Sequence, residues 1–218
     1  MANDCWNNIK IFARNKNGST ELKKLWMRIG HMMDSGVNGF GDYPSWYGNL
    51  LIAHGVEEDD INDARGSIEE LYWDDSRDCI SISTDTAWNP KMHIIEQMLE
   101  NYDDLDYVYV SEEPGMRIYI NSDTTGKFFT DRYDVDYDLG TIACDHQYVE
   151  DWSEVVDIME NISERIHEKY PDFKCILDET DHMLVTAGDV NIFCQEVEDY
   201  LTPRGEFDYI AWHEFDYS

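Results

Sequence analysis

Ile80 and Ile82 alternate with Ser81 and Ser83, the two-residue period of a half-buried strand over 79–84. Asn89 and Pro90 then supply a side-chain cap and a residue that needs no donated hydrogen bond, so a helix is expected to start there. Met92, Ile95, Leu99 and Tyr102 follow at helical spacing, and 105–110, rich in Tyr and Val, predicts the next strand before the turn at Pro114 and Gly115. The stretch 79–115 is therefore a strand-helix-strand unit.

The same periods run through the rest of the chain. Ile9, Ile11 and Ala13 predict a first strand over 5–13. Ser19 or Thr20 then caps a helix with Leu22, Leu25, Trp26, Ile29 and Met33 on one side. The stretch 34–49 has no clean period and predicts an irregular connection. Strands are expected at 65–73, 116–121, 127–130, 133–138 and 141–149, a long helix at 150–170, strands at 173–177 and 182–187, a helix at 190–201 and a last strand at 207–215. The first half reads strand, helix, strand, strand, helix, strand, the split βαβ order. The second half offers a similar order, with Thr86-Ala87 echoed by Thr186-Ala187 and Asp106-Tyr-Val108 by Asp208-Tyr-Ile210. The fold expected is α+β, two tandem ferredoxin-like units at 1–125 and 126–218, each an antiparallel sheet with helices on one face.

Charge changes this picture most. The chain has 218 residues, 47 acidic against 16 basic, for a net charge of −31. That charge opposes direct binding to a nucleic-acid backbone and favours a basic partner. It is uneven: residues 1–30 hold Lys10, Arg14, Lys16, Lys23, Lys24 and Arg28 against Asp4 and Glu21, a net +4, so the remainder carries −35. The basic segment is expected either to neutralise acidic neighbours within the fold or to pair with an acidic face of a second copy as a homodimer. No apolar run is long enough to span a membrane, and the N-terminus does not read as a secretory signal. Cys5, Cys79, Cys144, Cys175 and Cys194, odd in number and without a Cys-x-x-Cys pair, are expected as reduced thiols of a cytoplasmic protein.

Met1-Ala-Asn-Asp-Cys-Trp-Asn-Asn8, Trp46-Tyr-Gly-Asn-Leu50, Arg65-Gly-Ser67, Thr86-Ala-Trp-Asn-Pro90 and Glu112-Glu-Pro-Gly115 together resemble the YubB-like ferredoxin-domain family of phages, plasmids and related mobile elements. The resemblance covers roughly the first 135 residues. Ala87-Trp88 and Glu113-Pro-Gly115 are its most specific part, and Tyr43-Pro-Ser-Trp-Tyr-Gly48 stands where the family has its tryptophan-rich loop. It implies a fold and a mobile-element setting, with no activity to carry over.

No cofactor or catalytic group is expected. Asp134, Asp136, Asp138, Gly140 and Asp145 superficially resemble a calcium loop, but the glycine falls one place late and no helix precedes it, so a solvated acidic strand face explains them better. Cys144 and His146 share a strand face, and none of the seven histidines makes a metal-binding pair on a helix. There is no nucleophile elbow, phosphate loop or dinucleotide fingerprint.

On the helix 150–170, Glu150, Glu154, Asp157, Glu160, Glu164 and Glu168 fall within about a third of the circumference, opposite Trp152, Val155, Met159, Ile162 and Ile166. With Asp134, Asp136 and Asp138 they form the expected acidic surface. The leading expectation is a non-enzymatic phage-type inhibitor, of anti-CRISPR or antirestriction kind, that imitates nucleic acid before a basic host protein in the host cytoplasm. The alternatives are an interaction scaffold whose acid only solubilises, and an enzyme on a small nucleotide-like ligand near Trp46, Trp88, Glu112 and Glu113.

Overall fold

The computed structural model describes residues 4–35, 43, 45–178 and 184–217. The chain divides into two compact units: residues 1–129 with 216–218, and residues 130–215. Both are mixed α+β with antiparallel sheets.

In the first unit the order is β1 (Asp4–Ala13), α1 (Gly18–Ser35), the single turn α2 (Asn49–Ile52), β2 (Gly66–Asp74), β3 (Cys79–Ala87), α3 (His93–Leu99), β4 (Leu105–Glu113) and β5 (Ile118–Asn121). Strand order in the sheet is β2-β3-β1-β4-β5, antiparallel at every step. The two-residue alternation sets the register. Ile9 and Ile11 of β1 sit opposite Ile82 and Ile80 of β3 and opposite Tyr109 and Tyr107 of β4. That row packs against Leu22, Leu25 and Ile29 of α1 and Ile94, Ile95 and Met98 of α3. Helix α1 begins at Gly18, ahead of the expected caps, where Asn15 Oδ1 accepts from the N–H of Asn17 and Gly18. A Cβ on Gly18 would lie 2.4 Å from the Asp104 carbonyl oxygen, so only glycine lets the helix start this close to the turn that precedes Leu105.

Helix α3 starts at His93, not at Asn89 and Pro90. Asn89 Oδ1 accepts from Lys91 N in a local turn instead of capping a helix. Lys91 adopts left-handed backbone, φ 52°, and its buried ammonium meets Asp63 at 2.5 Å. That pairing holds the chain out of helical geometry for one more turn. On the other face of the sheet, the expected strand at 127–130 is an irregular cover. Phe128 stacks on Phe12 at 4.7 Å, and Asp123 accepts from the N–H groups of Thr125, Phe128 and Phe129. The tail returns to this unit: Asp216 N donates to Tyr119 O at 2.7 Å.

The second unit runs β6 (Tyr133–Asp138), β7 (Cys144–Val149), α4 (Trp152–Lys169), α5 (Ala187–Leu201) and β8 (Tyr209–Glu214), with antiparallel strand order β7-β6-β8. Val135 and Tyr137 share a core with Val155, Met159, Ile162 and Ile166 of α4 and with Val190, Phe193, Val197 and Leu201 of α5. The strand expected at 173–177 does not form. Ile176 N donates to Glu196 Oε2 at 2.7 Å and Cys175 N to Asp178 Oδ2 at 2.9 Å, so side-chain carboxylates satisfy donors that a ladder would use. The strand expected at 182–187 falls partly outside the described residues. Within them, Thr186 is the N-cap of α5, in a capping box with Asp189. Among the described residues the order is thus two strands, two helices, one strand, which differs from the first unit.

Candidate binding surface on helix α4

Helix α4 exists because both its start and its inner face are specified. Asp151 is the N-cap: its side chain accepts from Glu154 N, and the Glu154 carboxylate accepts in return from Asp151 N. Val155, Ile158, Met159, Ile162 and Ile166 are buried. The hydrophobic period then leaves Asp157, Glu160, Glu164 and Glu168 exposed, and these four make no hydrogen bond or ion pair among the described residues. They cover eleven helical steps, about 16 Å, with successive charges about 5–6 Å apart.

Clefts flank the row. One of about 310 Å³ is bordered by Asp145, Gln147, Glu154, Asp157 and Arg165, and another of about 520 Å³ by Thr141, Glu164, Arg165, Glu168 and Lys169. On the other flank, about 690 Å³ opens between Glu160, Glu164, Glu168, His167, Leu177 and Asp178. His167 Nε2 stands 3.3 Å from Asp178 Oδ1. Burial alone would raise the Asp178 carboxyl, but the Cys175 N–H and the His167 ring more than offset it and hold it below the ordinary range. Lys169 is engaged with Glu206 at 2.6 Å, which holds that carboxyl down at about 2 with help from Thr141. The row is therefore not cancelled by the neighbouring lysine. His167, Asp178 and Arg165 were not singled out in the sequence; only their spacing on and beside α4 could have indicated them.

The other expected acidic positions behave differently. Glu154 is spent on the capping box, and Glu150 lies before the helix, donating its N–H to Glu154 Oε2 at 2.8 Å. Asp134, Asp136 and Asp138 do share one sheet face, but they are not a free outward row. Asp134 is 5% exposed and lies 2.7 Å from His146 Nε2. Burial raises its carboxyl, and the His146 hydrogen bond only partly opposes this. Asp136 accepts from the Tyr209 hydroxyl at 3.0 Å, and Asp138 from Gly140 N at 2.9 Å. Asp145 accepts from His146 N and from the Gln147 amide. Cys144 is exposed on the strand face it shares with His146.

In the first unit, Trp46 bridges to Ser67, Ser67 lies opposite Asp85, Asp85 opposite Trp6, and Trp6 opposite Glu112. Four strand spacings, about 19 Å, thus separate Trp46 from Glu112. Trp46 borders its own cleft of about 450 Å³ with Tyr43, Ser45, Gly66 and Ser67. Trp88, in left-handed backbone at φ 74°, is 39% exposed. Glu113 is buried and accepts from Met116 N, which fixes the turn after β4. These four residues do not converge on one pocket. The basic N-terminal segment is likewise divided. Lys10 is buried against the Ser81 hydroxyl at 2.7 Å and Arg14 pairs with Asp106 at 3.1 Å, while Lys23, Lys24 and Arg28 are exposed on α1. No helix among the described residues is long and apolar enough to cross a membrane.

Comparison of the chain with models of protein families, with curated proteins and with solved structures finds no match.

Proposed function

We propose that this chain is a non-enzymatic acidic protein that occupies the nucleic-acid-binding groove of a basic host protein by imitating a row of phosphates. The observation that carries this is the unpaired row Asp157, Glu160, Glu164 and Glu168 on a helix whose opposite side is locked into a core. Its charge spacing of about 5–6 Å is of the order of the roughly 3.4 Å axial rise per phosphate on one DNA strand. The row also works against its own helix. Glu160–Glu164 and Glu164–Glu168 are like-charge pairs one turn apart, and Glu168 lies near the negative end of the helix dipole. Solubility alone needs no such stacking, whereas a rigid anionic ridge bordered by clefts gives Lys and Arg of a partner both charge and room.

The strand order β2-β3-β1-β4 supports a ferredoxin-like first unit with β5 added at the edge. The second unit is then an α+β partner that displays the ridge. The mobile-element setting, the host-cytoplasmic location and the anti-CRISPR or antirestriction role rest on the sequence resemblance and the charge.

The test is capture from host lysate at low salt, followed by competition. The protein recovered should bind a DNA or RNA oligonucleotide, the chain should displace that oligonucleotide, and the association should weaken steeply as salt rises. Replacing Asp157, Glu160, Glu164 and Glu168 by Asn and Gln should lower affinity by at least about a hundredfold, the loss of several charge-assisted contacts. Unchanged affinity of that variant, or simultaneous binding of chain and oligonucleotide, would overturn mimicry and leave a scaffold role.

A further inference from the structure

We infer that a cationic cleft in the first unit is a binding site for a phosphoryl group. The cleft measures about 430 Å³ and is bordered by Glu21, Lys24 and Arg28 of α1 and by Asn101 and Tyr102 in the turn between α3 and β4. Lys24 and Arg28 are one turn apart on the same helix face, and both are exposed. Lys24 makes no ion pair among the described residues, and Arg28 borders the cleft together with Tyr102.

The wall behind the two cations is fixed by a chain of hydrogen bonds. His54 Nδ1 lies 2.6 Å from the Leu50 carbonyl oxygen, which can only accept, so Nδ1 carries the hydrogen. In the neutral ring Nε2 is then the acceptor, and the Tyr102 O–H donates to it at 3.0 Å. The Tyr102 oxygen keeps its lone pairs as acceptors in the cleft that Arg28 also borders. One N–H of the Asn101 amide is used on Met98 O at 3.1 Å, which leaves the other free. Glu21, the one carboxylate at the border, accepts from Asp104 N through Oε2.

The donors at this one concave place are therefore an ammonium, the guanidinium N–H groups and one free amide N–H. Two cations a turn apart match a tetrahedral, doubly charged oxyanion better than a carboxylate, and Arg is suited to bidentate contact with phosphate oxygens. The volume leaves room for an organic group beyond the phosphate, so the natural ligand is a phosphomonoester. The chain as a whole carries −31 and repels anions at long range, so this local reversal of sign favours a ligand that reaches the cleft itself.

The experiment is an NMR titration of the full chain with inorganic phosphate, then with adenosine monophosphate and with a phosphoserine peptide, read at the His54 and Tyr102 ring signals. Saturable shifts at both residues are expected. Lys24→Ser should weaken binding about tenfold, the loss of one charge-assisted hydrogen bond. Lys23→Ser, which removes the same charge from the same helix but outside the cleft, should change it by less than about twofold. Tighter binding of the nucleotide or of the peptide tells which source of the phosphoryl group the site takes, and either supports the proposal. Absence of saturable shifts with all three probes, or equal weakening by the two lysine variants, would overturn it.

Discussion

Helices α1 and α4 are built alike and dressed oppositely. Each has 18 residues and one buried side: Leu22, Leu25 and Ile29 in α1, Val155, Met159, Ile162 and Ile166 in α4. On the outside α1 shows Lys23, Lys24, Met27 and Arg28, and α4 shows Asp157, Glu160, Glu164 and Glu168. The inner residues decide that a helix forms and where it lies. The outer ones are free of that duty, so the sign they carry has to be explained by what meets the surface. The cations of α1 border a cleft that also contains uncharged donors and fits a small anion. The anions of α4 form a ridge flanked by clefts and fit an extended cationic surface.

If the inner faces are equivalent anchors, removing one buried side chain from either helix should be equally damaging. Ile29→Ala and Ile162→Ala each empty a fully buried position, and each should cost about 2–5 kcal/mol. Urea denaturation with amide hydrogen exchange would locate each loss in its own unit. A cost under about 1 kcal/mol for either would mean that its helix is not held by its core, and the comparison would fail.

A smaller effect separates the helix starts. Asp151→Ala removes the side-chain acceptor of the α4 capping box, and should cost about 0.5–2 kcal/mol, with fraying confined to the first turn. Because the ridge begins at Asp157, one turn and a half further in, the competition assay should change little. Loss of competition equal to that of the neutralised ridge would show that Asp151 and Glu154 contact the partner themselves.

How much of this was legible in the sequence depends on the range of the interaction. The strands around Ile9, Ile11, Ile80 and Ile82 were readable because a two-residue period is local. So was the acidic outer face of α4, which needs only the 3.6-residue period, although Glu150 lies before the helix and Glu154 is taken up in the capping box. The delayed start of α3 was not, since Lys91 is held by Asp63, 28 residues earlier. The missing strand near Ile176 depends on Glu196, 20 residues later, filling a backbone donor's need. The alternation of Asp134, Asp136 and Asp138 puts them on one face, but whether they are available depends on the strands beside them. His146 and Tyr209, which occupy Asp134 and Asp136, come from the two neighbouring strands. The clefts beside α4 and α1 are likewise products of packing, invisible to any pattern along a single element.

The smallest effect is the one that bears most directly on what the ridge is for. Glu164 lies one turn from both Glu160 and Glu168, and all three are exposed without a partner among the described residues. Each like-charge pair opposes the helix by about 0.2–0.5 kcal/mol, so Glu164→Gln, which keeps shape and helix propensity, should stabilise the second unit by about 0.4–1 kcal/mol. The gain should shrink as salt screens the exposed charges. The same change should weaken displacement of an oligonucleotide from the captured partner, since it removes the middle charge of the row. Opposite signs for stability and competition are the signature of a surface kept for binding at the expense of its own helix. Were Glu164→Gln to raise stability and leave competition intact, the ridge would be ordinary solvated charge; were it to lower stability, the carboxylate would have an internal partner, and the row would not be free to meet another macromolecule.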